Sequence, residues 1–275
     1  MIFVHFTDTH LQAPESKAYL NLDTTQKFRE AVATVRALGV QPDFFIISGD
    51  LCHEGVVADY RHAKSLIEAE LQPFGVPVLV ALGNHDHRQP FREGFLNEPE
   101  ADAPYYYAQM IGDVRVIVLD SKVGQHNVEG MIDAEQIEWL KALLQQPAPG
   151  GNIIVLHHPP TPNTLPMLKD HGLRNAEALA DVLEGHSVHG IFAGHIHFNS
   201  IGSFHGITTA AGTGVAFELA PAGEGMHFYD SWGFNLVQIA DGITTVQPIA
   251  ALSQRKELYS LTREQLQQMM AQQHA

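Results

Sequence analysis

Val76-Pro77-Val78-Leu79-Val80-Ala81-Leu82-Gly83-Asn84-His85-Asp86 is the stretch on which the reading of the fold turns. An apolar, β-branched run ends abruptly in glycine. Three side chains follow that can each ligate, hydrogen-bond or transfer a proton. The pattern reads as a buried strand delivering polar residues at its C-terminal edge. Open α/β sheets carry their chemistry at that edge. The glycine lets the backbone turn tightly or approach a ligand closely. Gly-Asn is also ordinary turn chemistry, and four further strand ends decide between the two readings.

Those ends are spread along the chain. Ile2 to Thr7 is followed by Asp8-Thr9-His10, and Asp43 to Ser48 by Gly49-Asp50. Asn152 to Leu156 is followed by His157-His158-Pro159-Pro160, and Val188 to Ala193 by Gly194-His195-Ile196-His197. Helical spacing is expected over Thr24–Leu38, Val57–Leu71, Asp133–Gln145 and Asn175–Glu184. Asp133 and Gln136 form a capping-box-like start. Residues 87–104 show no period and read as a surface loop or lid. Gly112-Asp113 joins two strands as a hairpin. Residues 200–275 turn β-rich, with Asp241-Gly242 between the last two strands and a helix capped by Thr262 and Gln265 at the end. No fixed-period repeat or linker interrupts the chain. Residues 1–275 are therefore expected to form one α/β domain with a two-sheet core and helices outside.

Composition narrows the function classes. The chain has 275 residues and a net charge of -15 with histidine neutral. It has no Lys/Arg stripe, which argues against long nucleic acid or an anionic membrane as partner. No apolar run reaches the length of a membrane span. A cytoplasmic protein is expected. The single cysteine, Cys52, rules out an internal disulfide and reads as a small buried thiol. A negative chain binds a small phosphate ester when metal cations supply local positive charge.

The five strand ends carry Asp8 and His10, Asp50, Asn84 and His85, His157, and His195 with His197. Imidazole, carboxylate and amide oxygen together suit Zn, Mn or Fe better than Mg or Ca. They are too many for one ion and suit two ions about 3.5–4 Å apart sharing a carboxylate. Asp50, alone between two ligand-bearing ends, is the natural bridge. Such a pair would bind both free oxygens of a phosphate and acidify a water between them.

In this order the motifs Asp-x-His, Gly-Asp, Gly-Asn-His-Asp, a later His and Gly-His-x-His resemble those of the calcineurin-like metallophosphoesterase superfamily. Asp8-Thr9-His10-Leu11 and His157-His158-Pro159-Pro160 are most similar to bacterial class III cyclic nucleotide phosphodiesterases and the related glycerophosphodiesterases. The resemblance covers residues 1–200; beyond them Gly212-Thr213 and Tyr229-Asp230 carry it weakly. It implies a four-layer α/β/β/α sandwich. It implies that Asp8, His10 and His197 hold the first metal, that Asn84, His157 and His195 hold the second, and that Asp50 bridges them. It also implies that His85 lies outside the metals and steadies the phosphoryl oxygens or protonates the leaving alkoxide, with Asp86 orienting it.

The expected reaction is hydrolysis of a small phosphodiester, either a cyclic nucleotide such as cAMP or a glycerophosphodiester. A phosphomonoesterase or small-oligonucleotide nuclease on the same metals is the alternative among enzymes. A non-catalytic scaffold is the alternative outside them. Of the other histidines, His158 is expected to face away from the site and His5 to lie in the core. His53, His87 and His227 are loop positions within reach of substrate, as are Arg88 and Asn163. The β-rich tail and final helix are the elements that would build a homodimer or higher homo-oligomer, although no heptad or apolar stripe marks one.

Overall fold

The computed structural model describes residues 1–275 except 17, 100, 125–126, 223–224, 252–255, 263, 266–267 and 269–275. Three parallel strands, β1 (Ile2–Phe6), β2 (Phe44–Ser48) and β3 (Val78–Ala81), are linked by α1 (Thr24–Ala37) and α2 (Val57–Leu71). The short α3 (Arg88–Phe91) leads to the hairpin β4 (Tyr107–Ile111) and β5 (Val114–Val118). Next come α4 (Ala134–Leu144), β6 (Asn152–Val155), α5 (Ala176–Leu183) and β7 (Val188–Ala193). The remaining strands are β8 (Ser200–Phe204), β9 (Ile207–Ala211), β10 (Glu218–Ala222), β11 (Gly225–Asp230), β12 (Gly233–Ala240), β13 (Ile243–Ala250) and β14 (Lys256–Leu261). One sheet runs β13-β12-β1-β2-β3, a second β4-β5-β6-β7-β9-β8, and a third, smaller one β10-β11-β14.

Side-chain alternation sorts the strands into layers. Successive residues of a strand point to opposite faces, so Phe3, Phe44, Ile46 and Leu79 meet Val116, Val118, Ile153 and Phe192 between the two large sheets. Their neighbours Val4, Phe6, Phe45 and Ile47 pack outward on Phe28, Val32, Ala63 and Ile67 of α1 and α2. On the other side Ile117, Ile154 and Ile191 pack on Leu140, Leu179 and Leu183 of α4 and α5. Three apolar interfaces thus separate four layers in the order α/β/β/α. Phe3 and Phe192 bridge the two sheets edge to face, with centroids 5.0 Å apart.

Helix starts follow their sequence signals. The Asp133 side chain accepts the Gln136 N–H at 2.8 Å, and Asp23 accepts that of Gln26 at 2.9 Å. Residues 88–96 are helical, where a loop was expected over 87–104. They hold α3 and one wide helical turn, Arg92–Leu96. Phe91 is fully buried against Tyr60 and Tyr105, and Arg88 and Arg92 are paired with Asp120 and Glu98. The segment is too short to show a period, but its aromatic and ion-pair anchors fix it. The terminal helix falls largely outside the described residues; its expected cap is present, with Thr262 N–H on Gln265 at 2.9 Å and Gln265 N–H on Thr262 at 3.3 Å. Among the described residues no helix is long and apolar enough to cross a membrane.

Candidate metal centre

The strands β1, β2 and β3 run parallel in one sheet and β6 and β7 in the other, and their C-terminal ends meet where the His195 N–H donates to Asp8 at 3.0 Å. The chain leaving β1 stays in register with the chain leaving β2: Asp8 N–H donates to Gly49 O at 3.0 Å and His10 N–H to Asp50 O at 2.9 Å. Asp8, His10, Asp50, Asn84, His157, His195 and His197 converge there, all buried.

Their backbone is unusual. Asp8, His10, Asp50, His195 and His197 all have positive φ, between 42° and 73°. Non-glycine residues rarely adopt that region, and it costs on the order of 1 kcal/mol or more per residue. Five such residues at three strand ends are held by the surrounding packing. Glycine is required beside them: a Cβ on Gly194 would run into Thr7 Oγ1 and lie 2.6 Å from Asp8 Oδ2.

The side chains form two groups that share Asp50. Asp8, His10, Asp50 and His197 offer ligand atoms within 4.8 Å of one another. His10 Nε2 and His197 Nε2 are 3.2 Å apart, and His197 Nε2 is 3.2 Å from Asp8 Oδ1. In the second group Asn84 Oδ1 lies 3.1 Å from His157 Nε2 and 2.9 Å from His195 Nδ1. Asp50 Oδ2 stands between the groups, 3.7 Å from His10 Nε2 and 3.4 Å from His157 Nε2. Ligand atoms about 2.0–2.2 Å from one ion lie roughly 3–3.5 Å from each other, which is the spacing seen.

Tautomers provide a further test of fit. His157 Nδ1 faces the Ser48 carbonyl at 2.8 Å and His197 Nδ1 the Phe217 carbonyl at 3.0 Å. Those nitrogens therefore carry the protons, and in the neutral rings both Nε2 atoms present lone pairs. The lone pairs face other acceptors: Asp8, Asp50 and the Asn84 amide oxygen. A positive species resolves such a convergence. Burial pushes His157 down, but Asp50 and Asp8 outweigh it and lift the imidazole to about 9. His197 is likewise raised against burial by Asp8. A site that draws protons onto its imidazoles will take a metal cation in their place. The residues fit two divalent ions.

The surroundings were less legible in sequence. His85 is half-buried, donates its N–H to Asp50 Oδ1 at 2.9 Å, and packs its ring 5.0 Å from that of His10. Asp86, expected to orient the His85 imidazole, accepts from four other donors. Its Oδ2 accepts Leu51 and Gly83 N–H at 3.1 and 2.8 Å; its Oδ1 accepts Cys52 N–H and Tyr60 O–H at 3.2 and 3.0 Å. It ties the turn after β3 to the turn after β2. His158 does not face away: it is fully buried with its ring 4.5 Å from that of His195. Lys122, unremarked in the sequence, donates to the Asn84 carbonyl at 3.1 Å and brings a buried ammonium beside the second group. Arg88 is engaged by Asp120 through bonds of 2.9 and 3.1 Å. Asn163 accepts the Leu165 N–H, and His227 pairs with Glu257. His5 lies in the core with Nε2 2.8 Å from Ser48 Oγ. Cys52 is buried and unbridged, as expected.

The profile of the calcineurin-like phosphoesterase family matches residues 1–199, the segment that supplies every residue of this centre. The chain belongs to the calcineurin-like phosphoesterase family. Among calcineurin-like phosphoesterases it is similar to a cAMP/cGMP dual specificity phosphodiesterase of Mycobacterium tuberculosis, with 35% identity over 86% of this chain and 76% of the relative. It is 27% identical to a glycerophosphodiester phosphodiesterase of Enterobacter lignolyticus over 72% of this chain and 70% of that one. The fold of this calcineurin-like phosphoesterase matches a dimetal phosphatase structure from Danio rerio, with a TM-score of 0.64, 18% identity, and coverage of 94% and 98% of the two chains.

Proposed function

We propose that this chain hydrolyses small phosphodiesters, with a 3',5'-cyclic nucleotide as the preferred substrate. The observation that carries the reading is the Asp50 carboxylate between two nitrogen-rich groups, 3.7 Å from His10 Nε2 and 3.4 Å from His157 Nε2. Asp8, His10, Asp50 and His197 would hold one divalent cation; Asp50, Asn84, His157 and His195 would hold the other. Bound there, two cations supply Lewis acidity for the phosphoryl oxygens and lower the pKa of water. The donor set suits Fe, Mn or Zn.

The chain's own residues do the rest. The Ser48 and Phe217 carbonyls fix the ring orientation of His157 and His197. Lys122 adds positive charge behind Asn84, where a phosphoryl group gathers negative charge. His85 stands at the edge of the cage, the place from which an imidazole gives a proton to a departing ester oxygen. The relative at 35% identity, named for both cAMP and cGMP, supports the cyclic nucleotide. The glycerophosphodiesterase at 27% identity favours glycerophosphodiesters as the second reading. The net charge of -15 supports a small substrate over long nucleic acid, and the cytoplasm is the compartment we expect.

Metal-depleted protein reloaded with Mn²⁺ and assayed on cAMP, glycerophosphocholine and p-nitrophenyl phosphate tests this reading. The highest kcat/KM is expected on cAMP. A preference for the monoester would overturn the diesterase assignment, and inactivity on all three despite bound metal would favour a scaffold.

A further inference from the structure

The turn after β2 supplies more than the carboxylate of Asp50. Leu11 and Cys52 form an isolated parallel bridge, and the Leu11 N–H donates to the Leu51 carbonyl at 2.7 Å. Thr9 Oγ1 donates to the same carbonyl at 2.9 Å, and Asp86 accepts the Cys52 N–H at 3.2 Å. These bonds hold the chain leaving β2 beside the chain leaving β1. They bring His53 against His10, with the two Nδ1 atoms 3.2 Å apart. Two rings stack on His53: Tyr19 at 3.7 Å and 23°, and His85 at 4.8 Å and 26°. The His53 side chain is 11% exposed, so neighbouring rings rather than solvent set its orientation.

An imidazole that binds a cation through one nitrogen is aimed by the partner of its other nitrogen. For His157 and His197 that partner is a main-chain carbonyl, of Ser48 and of Phe217. For His10 it is a side chain. His10 turns its Nε2 toward His197 Nε2 and the Asp50 carboxylate. In the neutral ring its Nδ1 then carries the proton and donates to His53 Nδ1. That leaves the His53 proton on Nε2, 3.8 Å from the Glu54 carboxylate. One choice of tautomers thus satisfies every contact along the row from Glu54 to the cage.

We propose that His53 is a positioning residue for His10. By fixing that ring it sets the affinity of the cation held by Asp8, His10, Asp50 and His197. The cation held by Asp50, Asn84, His157 and His195 does not depend on it. This inference rests on the two-cation reading above.

Calorimetric titration of the metal-free protein with Mn²⁺ tests it. Wild type is expected to take two equivalents. His53→Phe keeps a ring for Tyr19 and His85 to stack on but removes the nitrogen facing His10. It is expected to weaken one equivalent about 10–100-fold and leave the other unchanged. His53→Asn returns an amide oxygen close to where Nδ1 stood, and should recover most of the lost affinity. Excess Mn²⁺ should restore kcat in His53→Phe, with KM unmoved. Titration of His53→Phe as wild type overturns the inference. So does His53→Asn as weak as His53→Phe, or equal weakening of both equivalents in step with lost thermal stability. If wild type takes fewer than two equivalents, the two-cation reading falls and this inference with it.

Discussion

Asp50 is effective because of where it stands, with nitrogens of both groups within 4 Å of one carboxylate oxygen. Asp50→Ala is therefore expected to abolish binding of both cations, which elemental analysis of the dialysed protein would read. His85→Ala should keep both and lower kcat about 10²–10⁴-fold, the usual range for a proton donor; lost metal in that variant would put His85 inside the cage. The acid–base behaviour follows from His157. Its imidazole, lifted by Asp50 and Asp8 to about 9 from an ordinary 6.5, must be neutral to bind a cation. Metal affinity is thus expected to climb as pH rises toward about 9 and then to level off, in competition with a chelator of known affinity. The metal-free fold has the opposite slope. A raised folded pKa adds stability that is whole below about 6.5 and lost as pH passes 9, so melting in EDTA should move to lower temperature over that range. At this scale the sequence was readable for the seven converging residues, because each lies within a few residues of the end of an apolar run. It was silent on what orients them. Ser48 and Phe217 act through main-chain carbonyls, which carry no side-chain signature, and Lys122 lies far along the chain from the Asn84 it touches.

Turns after strands are the working elements here, and their backbone is as specific as their side chains. Gly194→Ala is expected to push Thr7 and Asp8 aside. Overpacking of this kind costs about 1–3 kcal/mol, and a lower melting temperature should accompany weaker binding of the cation shared by Asp8 and His197. The strands β1, β2 and β7 were plain in the sequence as buried runs, and α2 was expected over the span it occupies, Val57–Leu71. The small sheet was not foreseen. β10 contains Pro221 and lacks alternation, and Pro is admitted there because β10 is an edge strand. The helical turns at residues 88–96 are hidden in sequence for a related reason: so short a helix gives no period, and its stability comes from Phe91 and two arginine pairs.

The two large sheets must hold a fixed relation for the centre to exist, since Asp8, Asp50 and Asn84 come from one sheet and His157, His195 and His197 from the other. Phe192 sits at that junction, fully buried and in edge contact with both Phe3 and His5. Phe192→Ala is expected to cost about 3–5 kcal/mol in urea unfolding and to loosen both cations together, unlike changes on one side of the cage. A two-sheet core with helices outside was legible in the order of the elements, but the facing of each strand was not. β1 and β2 are buried on both faces, so their apolar runs do not say which face meets helices and which meets the other sheet. One consequence concerns the order of assembly. His10 and His197 meet across 187 residues of chain, so a growing or half-collapsed polypeptide offers a cation only scattered donors. Loading must then be the last event of maturation: a chelator in the refolding buffer should leave the recovery of tryptophan fluorescence unslowed and yield a folded, inert protein that awakens when metal is supplied.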